Sequence, residues 1–145
     1  MIRTLASLLA LALLSSASVA EAVWFFGPKK EQVACGVYTQ HPGAGRGTTN
    51  LAPVALSNGA ASISAVADII VKGAVAMRGA RIQGTVATDA KGTSWLSVAF
   101  RDSAGKVLKT DKTVIRRDTW SLVAFENWPK SQAYLGLQCL IQAAR

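Results

Sequence analysis

The chain of 145 residues contains a single histidine, His41, and two cysteines, Cys35 and Cys139. One histidine and two distant cysteines lack metal-ligand spacing, so no metal is expected. No Gly-x-Ser-x-Gly elbow occurs, and a hydrolytic triad would have to recruit His41 near a Ser and an acid. Acidic residues are also scarce, eight against sixteen Lys and Arg, which leaves a formal charge of +8. Glycoside hydrolysis needs two cooperating carboxylates. Beyond residue 22 the acids are Glu31, Asp68, Asp89, Asp102, Asp111, Asp118 and Glu126. Most fall at turns or strand ends, where Asp shapes the backbone, and no pair has diagnostic spacing. Neither catalysis nor a cofactor is expected. Only 17% of residues are charged while 50% are hydrophobic, a balance that excludes a disordered chain. Past residue 22 there is no long uninterrupted apolar run of the kind a membrane-spanning helix needs.

What is present begins with an address. Met1 to Thr4 carry one basic residue, Leu5 to Leu14 are apolar, and Ser15 to Ala20 are small apart from Val19. That order is the pattern of a secretory signal peptide. Cleavage fits after Ser18-Val19-Ala20 or after Ala20-Glu21-Ala22. An uncleaved anchor reaching Phe26 would place Glu21 inside the bilayer, and its apolar run is too short. We therefore expect a signal peptide over 1–22, an exported protein in the periplasm or outside the cell, and one domain over 23–145. Cleavage removes Arg3 and Glu21 together, so the +8 is unchanged. In an oxidising compartment two cysteines in one domain usually pair. A Cys35–Cys139 bond would close most of the domain, a constraint worth roughly 4–5 kcal/mol in the chain-entropy picture.

Period-two alternation dominates the rest. Leu96, Val98 and Phe100 share one face of 94–101, with Trp95, Ser97, Ala99 and Arg101 on the other. Leu135, Leu137, Cys139 and Ile141 do the same in 133–141, and Val33, Cys35 and Val37 near the start. Both cysteines thus lie in strands, so their bond would clamp the first strand to the last. Further strands are expected at 61–65, 67–72, 80–88, 106–116 and 119–126. Turns are expected at Ser57-Asn58-Gly59, at Asp102-Ser103-Ala104-Gly105, at Trp128-Pro129, and among the small residues of 73–79. The Gly- and Pro-containing stretch 39–53 reads as a long loop. Many short strands with regular turns predict an all-β fold, a single sandwich or barrel.

The run from Ala80 to Ile141 carries a resemblance. It contains Ile82-Gln83-Gly84-Thr85-Val86, Trp95 to Phe100, Arg101-Asp102-Ser103-Ala104-Gly105, Asp118-Thr119-Trp120, Pro129 and Ala133 to Leu137. In this order it resembles the galactose-binding-like jelly roll of many carbohydrate-binding modules. A smaller resemblance, to FxLYD-type secreted sandwiches, lacks that family's Tyr before the turn Asp, where Arg101 stands. The jelly-roll resemblance implies a β-sandwich whose ligands bind on a concave sheet face or at loops on one end. It also implies neighbouring first and last strands. That family often holds a structural calcium, but no Asp-x-Asp-x-Asp-Gly run is present.

Sugar binding uses aromatic faces and a few polar groups. The candidates are Trp95, Trp128 and Tyr134, while Trp120 is expected to pack in the core. Arg101, Lys106, Lys109, Lys112, Arg116 and Arg117 crowd one hairpin region against Asp102, Asp111 and Asp118. Such an excess attracts anionic polymers, and otherwise serves as a solvated face that guards strand edges. Arg101, Arg116 and Arg117 join the aromatics as candidate ligand contacts. No motif points to specific nucleic-acid binding. Trp24-Phe25-Phe26, followed by Lys29-Lys30, either tucks onto the sandwich or contacts a partner or membrane surface. The sequence therefore predicts a non-catalytic module for carbohydrate or an anionic envelope glycan. The alternative is an envelope assembly protein that binds another protein.

Overall fold

A computed structural model of the chain describes residues 30–41, 45–71, 74–125 and 133–145. The expected signal peptide, Trp24 to Phe26, and the turn containing Trp128 lie outside these residues. The described chain is all-β: β1 (Glu31–His41), β2 (Gly45–Asn50), β3 (Val54–Ala55), β4 (Ala60–Val71), β5 (Ala74–Thr88), β6 (Ser94–Arg101), β7 (Val107–Val114), β8 (Ser121–Phe125) and β9 (Ala133–Ala143). Two antiparallel sheets pack as a sandwich. In the terminal sheet β1 pairs with β9, β2 and β3 extend the far edge of β1, and β8 pairs with β9. The other is a meander, β4-β5-β6-β7. The two join where Ile70 and Val71 of β4 meet Tyr134 and Ala133 of β9.

The alternating apolar residues make the core. Leu96, Val98 and Phe100 of β6, Ile82 and Val86 of β5, and Leu135, Leu137 and Ile141 of β9 are buried between the sheets. Phe100 meets Phe125 of β8 with ring centroids 5.4 Å apart. Gly84 leaves room for Leu137 of the opposite sheet, since a β-carbon there would lie 2.7 Å from Leu137 Cδ2.

Cys35 and Cys139 form a disulfide that joins the first strand to the last, as the alternation predicts. They are direct cross-strand partners with Cα atoms 4.1 Å apart. The Cys35 carbonyl accepts from Leu51 N–H on the other edge of β1. The cysteines therefore sit at a non-hydrogen-bonded pair, the register in which antiparallel strands bring side chains closest.

Three local expectations change. Stretch 39–53 is not one loop, because β1 runs to His41 and β2 pairs with it through Thr39↔Gly47 and neighbouring residues. Residues of β2 are polar or glycine and lie at a sheet edge, so no apolar alternation marks them. The strands expected at 61–65 and 67–72 are one strand, interrupted by register shifts between Ala67 and Ile70 that break the period of two. Residues 74–79 belong to β5 rather than to a turn; Gly79, at φ 67°, takes the irregular position opposite and donates its N–H to Asp68 Oδ1 at 2.9 Å.

The turns expected at Ser57-Asn58-Gly59 and at Asp102-Ser103-Ala104-Gly105 form. Asp102 Oδ1 accepts from Lys106 N–H at 2.9 Å, and Gly105 supplies the left-handed residue at φ 93°. Asn58 and Gly59 both have positive φ, which makes their two-residue hairpin a type I′ turn. Strand β7 is a sheet edge, and Lys109, opposite core-facing Phe100, reaches across to donate to the Ala124 carbonyl of β8 at 3.2 Å. An inward-turned charge on an edge strand discourages pairing with another chain.

Candidate functional site

Register fixes what the outward face of the meander presents. Across the strands, Ser62, Thr85, Ser97 and Lys112 are aligned, and so are Ser64, Gln83, Ala99 and Thr110. Arg81 and Arg101 pair at one end of these rows, and Ala87, Trp95 and Val114 at the other. Short polar side chains thus fill the middle, with cations at one end and one edge. The paired outward positions of β5, β6 and β7 carry no Asp or Glu. A shallow depression of ≈ 550 Å³ runs over Gln83, Thr85, Ser97, Arg101 and Lys112. Asp111 also borders it, but Asp111 is opposite Val98 and its Oδ1 is taken by the Lys112 N–H.

The two predicted ligand residues on this face are held in place. Arg101 donates from Nε to Gln83 Oε1 at 2.8 Å and from Nη1 to the Gly105 carbonyl at 3.1 Å. Trp95 is half-buried, donates from Nε1 to Asp89 Oδ2 at 3.1 Å, and carries the Lys112 ammonium 4.9 Å from its ring centroid. Asp89 also accepts from the Thr93 and Lys91 N–H groups. The Trp95 indole, and after it the Thr93 N–H, hold the Asp89 carboxyl below its ordinary range. Trp95 therefore offers a ring already partnered by a cation, not a bare stacking surface.

Arg116 and Arg117 lie elsewhere. They follow β7 and line an open cleft of ≈ 1290 Å³ at one end of the sandwich, where both termini of the described domain also lie. Arg117 forms an ion pair with Glu31, while Arg116 is exposed. The six cations expected to crowd one hairpin are thus divided. Arg101 and Lys112 face outward on the meander, Lys109 spans the sheets, Lys106 follows the turn, and the two arginines belong to the cleft.

Of the predicted aromatics, Trp95 and Tyr134 are not brought together. Trp95 adjoins the cleft end, since Ser94 lines it. Tyr134 is the second residue of β9, seven residues before Ile141 at the cleft, which puts it roughly 23 Å away along the strand. Trp128 lies outside the described residues. Trp120, expected in the core, is 50% exposed and sits on the outer side of the terminal sheet near Leu122, which is 43% exposed. The reason is parity: Val123 and Phe125 point inward from β8, so residues 120 and 122 point out. Sequence reasoning missed the Lys112–Trp95 contact and the Gln83 anchor of Arg101, both set by cross-strand register. Among the described residues no group of three or more His, Cys, Asp or Glu is placed to hold a metal ion.

The chain matches no family model, no curated protein and no solved structure.

Proposed function

We propose that the protein is an exported, non-catalytic binding module for an acidic glycan, which lies across the outward face of the meander. The observation that carries this reading is the face itself: Arg81, Arg101 and Lys112 around short hydroxyl and amide side chains, with no carboxylate at the paired outward positions of β5 to β7. Guanidinium and ammonium groups meet carboxylates or sulfates, and Ser, Thr and Gln meet sugar hydroxyls. Lys112 over Trp95 suits an acidic sugar, whose charge meets the ammonium while its ring edges past the indole. The resemblance to galactose-binding-like jelly rolls agrees with binding on a sheet face. Export is supported by the signal-like first 22 residues and by the buried disulfide, which suits an oxidising compartment.

Isothermal titration with oligogalacturonate, beside a neutral oligosaccharide of equal length, tests this. Binding to the acidic ligand is expected to weaken with salt. Substituting Arg81→Gln and Lys112→Gln together is expected to weaken it about tenfold or more, from two lost charge contacts. Folded protein that binds neither acidic nor neutral glycan overturns the proposal.

A second reading rests on Trp120 and Leu122. Two large apolar side chains exposed together are typical anchors for another protein. On this reading the chain is an envelope assembly protein. Crosslinking in intact cells through a photoreactive residue at 120 that returned no protein neighbour would count against it.

A further inference from the structure

Strand β4 pairs with β5 along its length, but on its other side only Ile70 and Val71 meet a strand, β9. Ala60 exchanges both of its backbone hydrogen bonds with Ser57, and so turns its N–H and C=O away from β5. These groups alternate sides along an antiparallel strand, so Ser62, Ser64 and Val66 also aim theirs away from β5. Among the described residues no strand pairs with them there. Such edges are normally guarded by charges, Pro or bulges. Edge strand β7 carries Lys109, Asp111 and Lys112, whereas Ala60 to Ala67 has neither charge nor Pro. An open hollow of ≈ 340 Å³ lies beside this edge, bordered by Ala65, Val66 and Ala67 and by Thr49 and Leu51. By parity Ala65 and Ala67 face inward with Ile63, yet they and Leu51 are only half-buried. Val66, on the outward side, is 69% exposed.

We infer that the β4 edge accepts an extended segment of another protein as an added strand of the meander, with an uncharged centre and acidic flanks. Strand addition takes its affinity from main-chain hydrogen bonds and its specificity from alternate side chains. The N–H and C=O groups of Ser62, Ser64 and Val66 hold the incoming backbone. Every second side chain of the segment then turns inward, toward half-buried Ala65, Ala67 and Leu51, which suits small or branched apolar residues. The others lie in water beside Ser62, Ser64 and Val66. Charge selects the occupant: a second copy of this chain brings another +8 to the seam, whereas an acidic segment is attracted. The site uses the backbone of β4 and none of Arg81, Arg101 or Lys112, so it stands apart from the glycan reading.

The test follows backbone amides of the intact protein by NMR. The probe is a short capped peptide that alternates valine with serine and carries aspartate at both ends, kept below its own aggregation limit. In the free protein, hydrogen exchange is expected to be fast at Ser62, Ser64 and Val66 and slow at Ile63 and Ala65, which bond to β5. The peptide is expected to shift and protect the first three. The same peptide N-methylated at the positions that face β4 loses its donors, and is expected to bind about tenfold weaker or worse. Lysine in place of both aspartates is expected to weaken binding several-fold at low salt. Ser64→Pro removes an edge N–H that β5 does not use, and is expected to weaken the aspartate peptide about tenfold with the pairing to β5 intact. The inference is overturned if the aspartate peptide leaves the three amides unmoved, or if the N-methylated or the lysine peptide binds as well. Protection of those amides that is present without peptide, or that rises with protein concentration as a second copy takes the edge, overturns it equally.

Discussion

The Lys112 ammonium lies 4.9 Å from the centroid of the Trp95 ring, on the strand next to it and two residue pairs along. Trp95 pairs with Val114 and Ser97 with Lys112, so the lysine reaches diagonally to the indole. Diagonal neighbours on a sheet face are within reach of aromatic and long side chains. Replacing Lys112 with Met keeps most of the stem and removes the charge. We expect acidic-glycan affinity to fall several-fold while stability changes by no more than about 1 kcal/mol, the scale of an exposed cation–π contact. Titration calorimetry and thermal unfolding on the same variant check both halves.

Asp89 anchors the other side of that ring. Its carboxyl is held below the ordinary range by the Trp95 indole N–H and then by the Thr93 N–H. A depressed carboxyl contributes stability that is full above its unfolded pKa, about 4, and disappears as pH falls through the lower folded value. The Trp95 indole proton signal should therefore move with the Asp89 titration, below about pH 4. Asp89→Asn should remove that inflection. An indole signal that stays flat down to the acid unfolding transition would contradict the link.

The disulfide gives a stability prediction. Thiol counting on unreduced, denatured protein should find no free thiol, since the described residues hold both cysteines in one bond. Replacing Cys35 and Cys139 together with Ala should cost roughly 2–5 kcal/mol in chemical unfolding. Two free thiols in the unreduced protein would refute the bond.

Gly84 makes a separate packing prediction. A β-carbon there would meet Leu137 of the opposite sheet at 2.7 Å. Gly84→Val suits β-propensity locally yet overpacks the contact between the sheets. We expect a loss of about 1–3 kcal/mol, visible as a lower denaturant midpoint. Valine at exposed Thr85, one residue along and facing outward, should be nearly neutral by comparison.

The alternation of Leu96, Val98 and Phe100, and of Leu135, Leu137 and Cys139, is a local signal. It suffices for the all-β fold and the buried faces, and it places both cysteines on strands, while their pairing follows from the export signal. The strand β2 was hidden because Gly45 to Asn50 lack apolar residues, and the continuity of β4 was hidden because a bulge resets the period. The candidate site was legible only in pieces. Arg101 and Trp95 could be placed on an outward face by parity, but Gln83, Lys112 and Asp89 become their partners through pairing across strands. The charge run from Arg101 to Arg117 looked like one patch because the sequence is linear. Strand β7 carries its two ends to opposite ends of the sheet. The general preference of aromatics for the core places Trp120 inside, whereas the inward parity of Val123 and Phe125 leaves it 50% exposed.

The pairing of Glu31 with Ala143 has a mechanical meaning. Both ends of the described domain leave from one side, so tension applied between Lys30 and Ala144 peels β1 from β9 one pair at a time. The peeling reaches Cys35 and Cys139 after four pairs and stops, because the load then passes through a covalent bond. Everything between the two cysteines, the meander and its outward face included, is left unstretched. A module tethered by both ends would keep its binding face in shape under a load that extends its attachments.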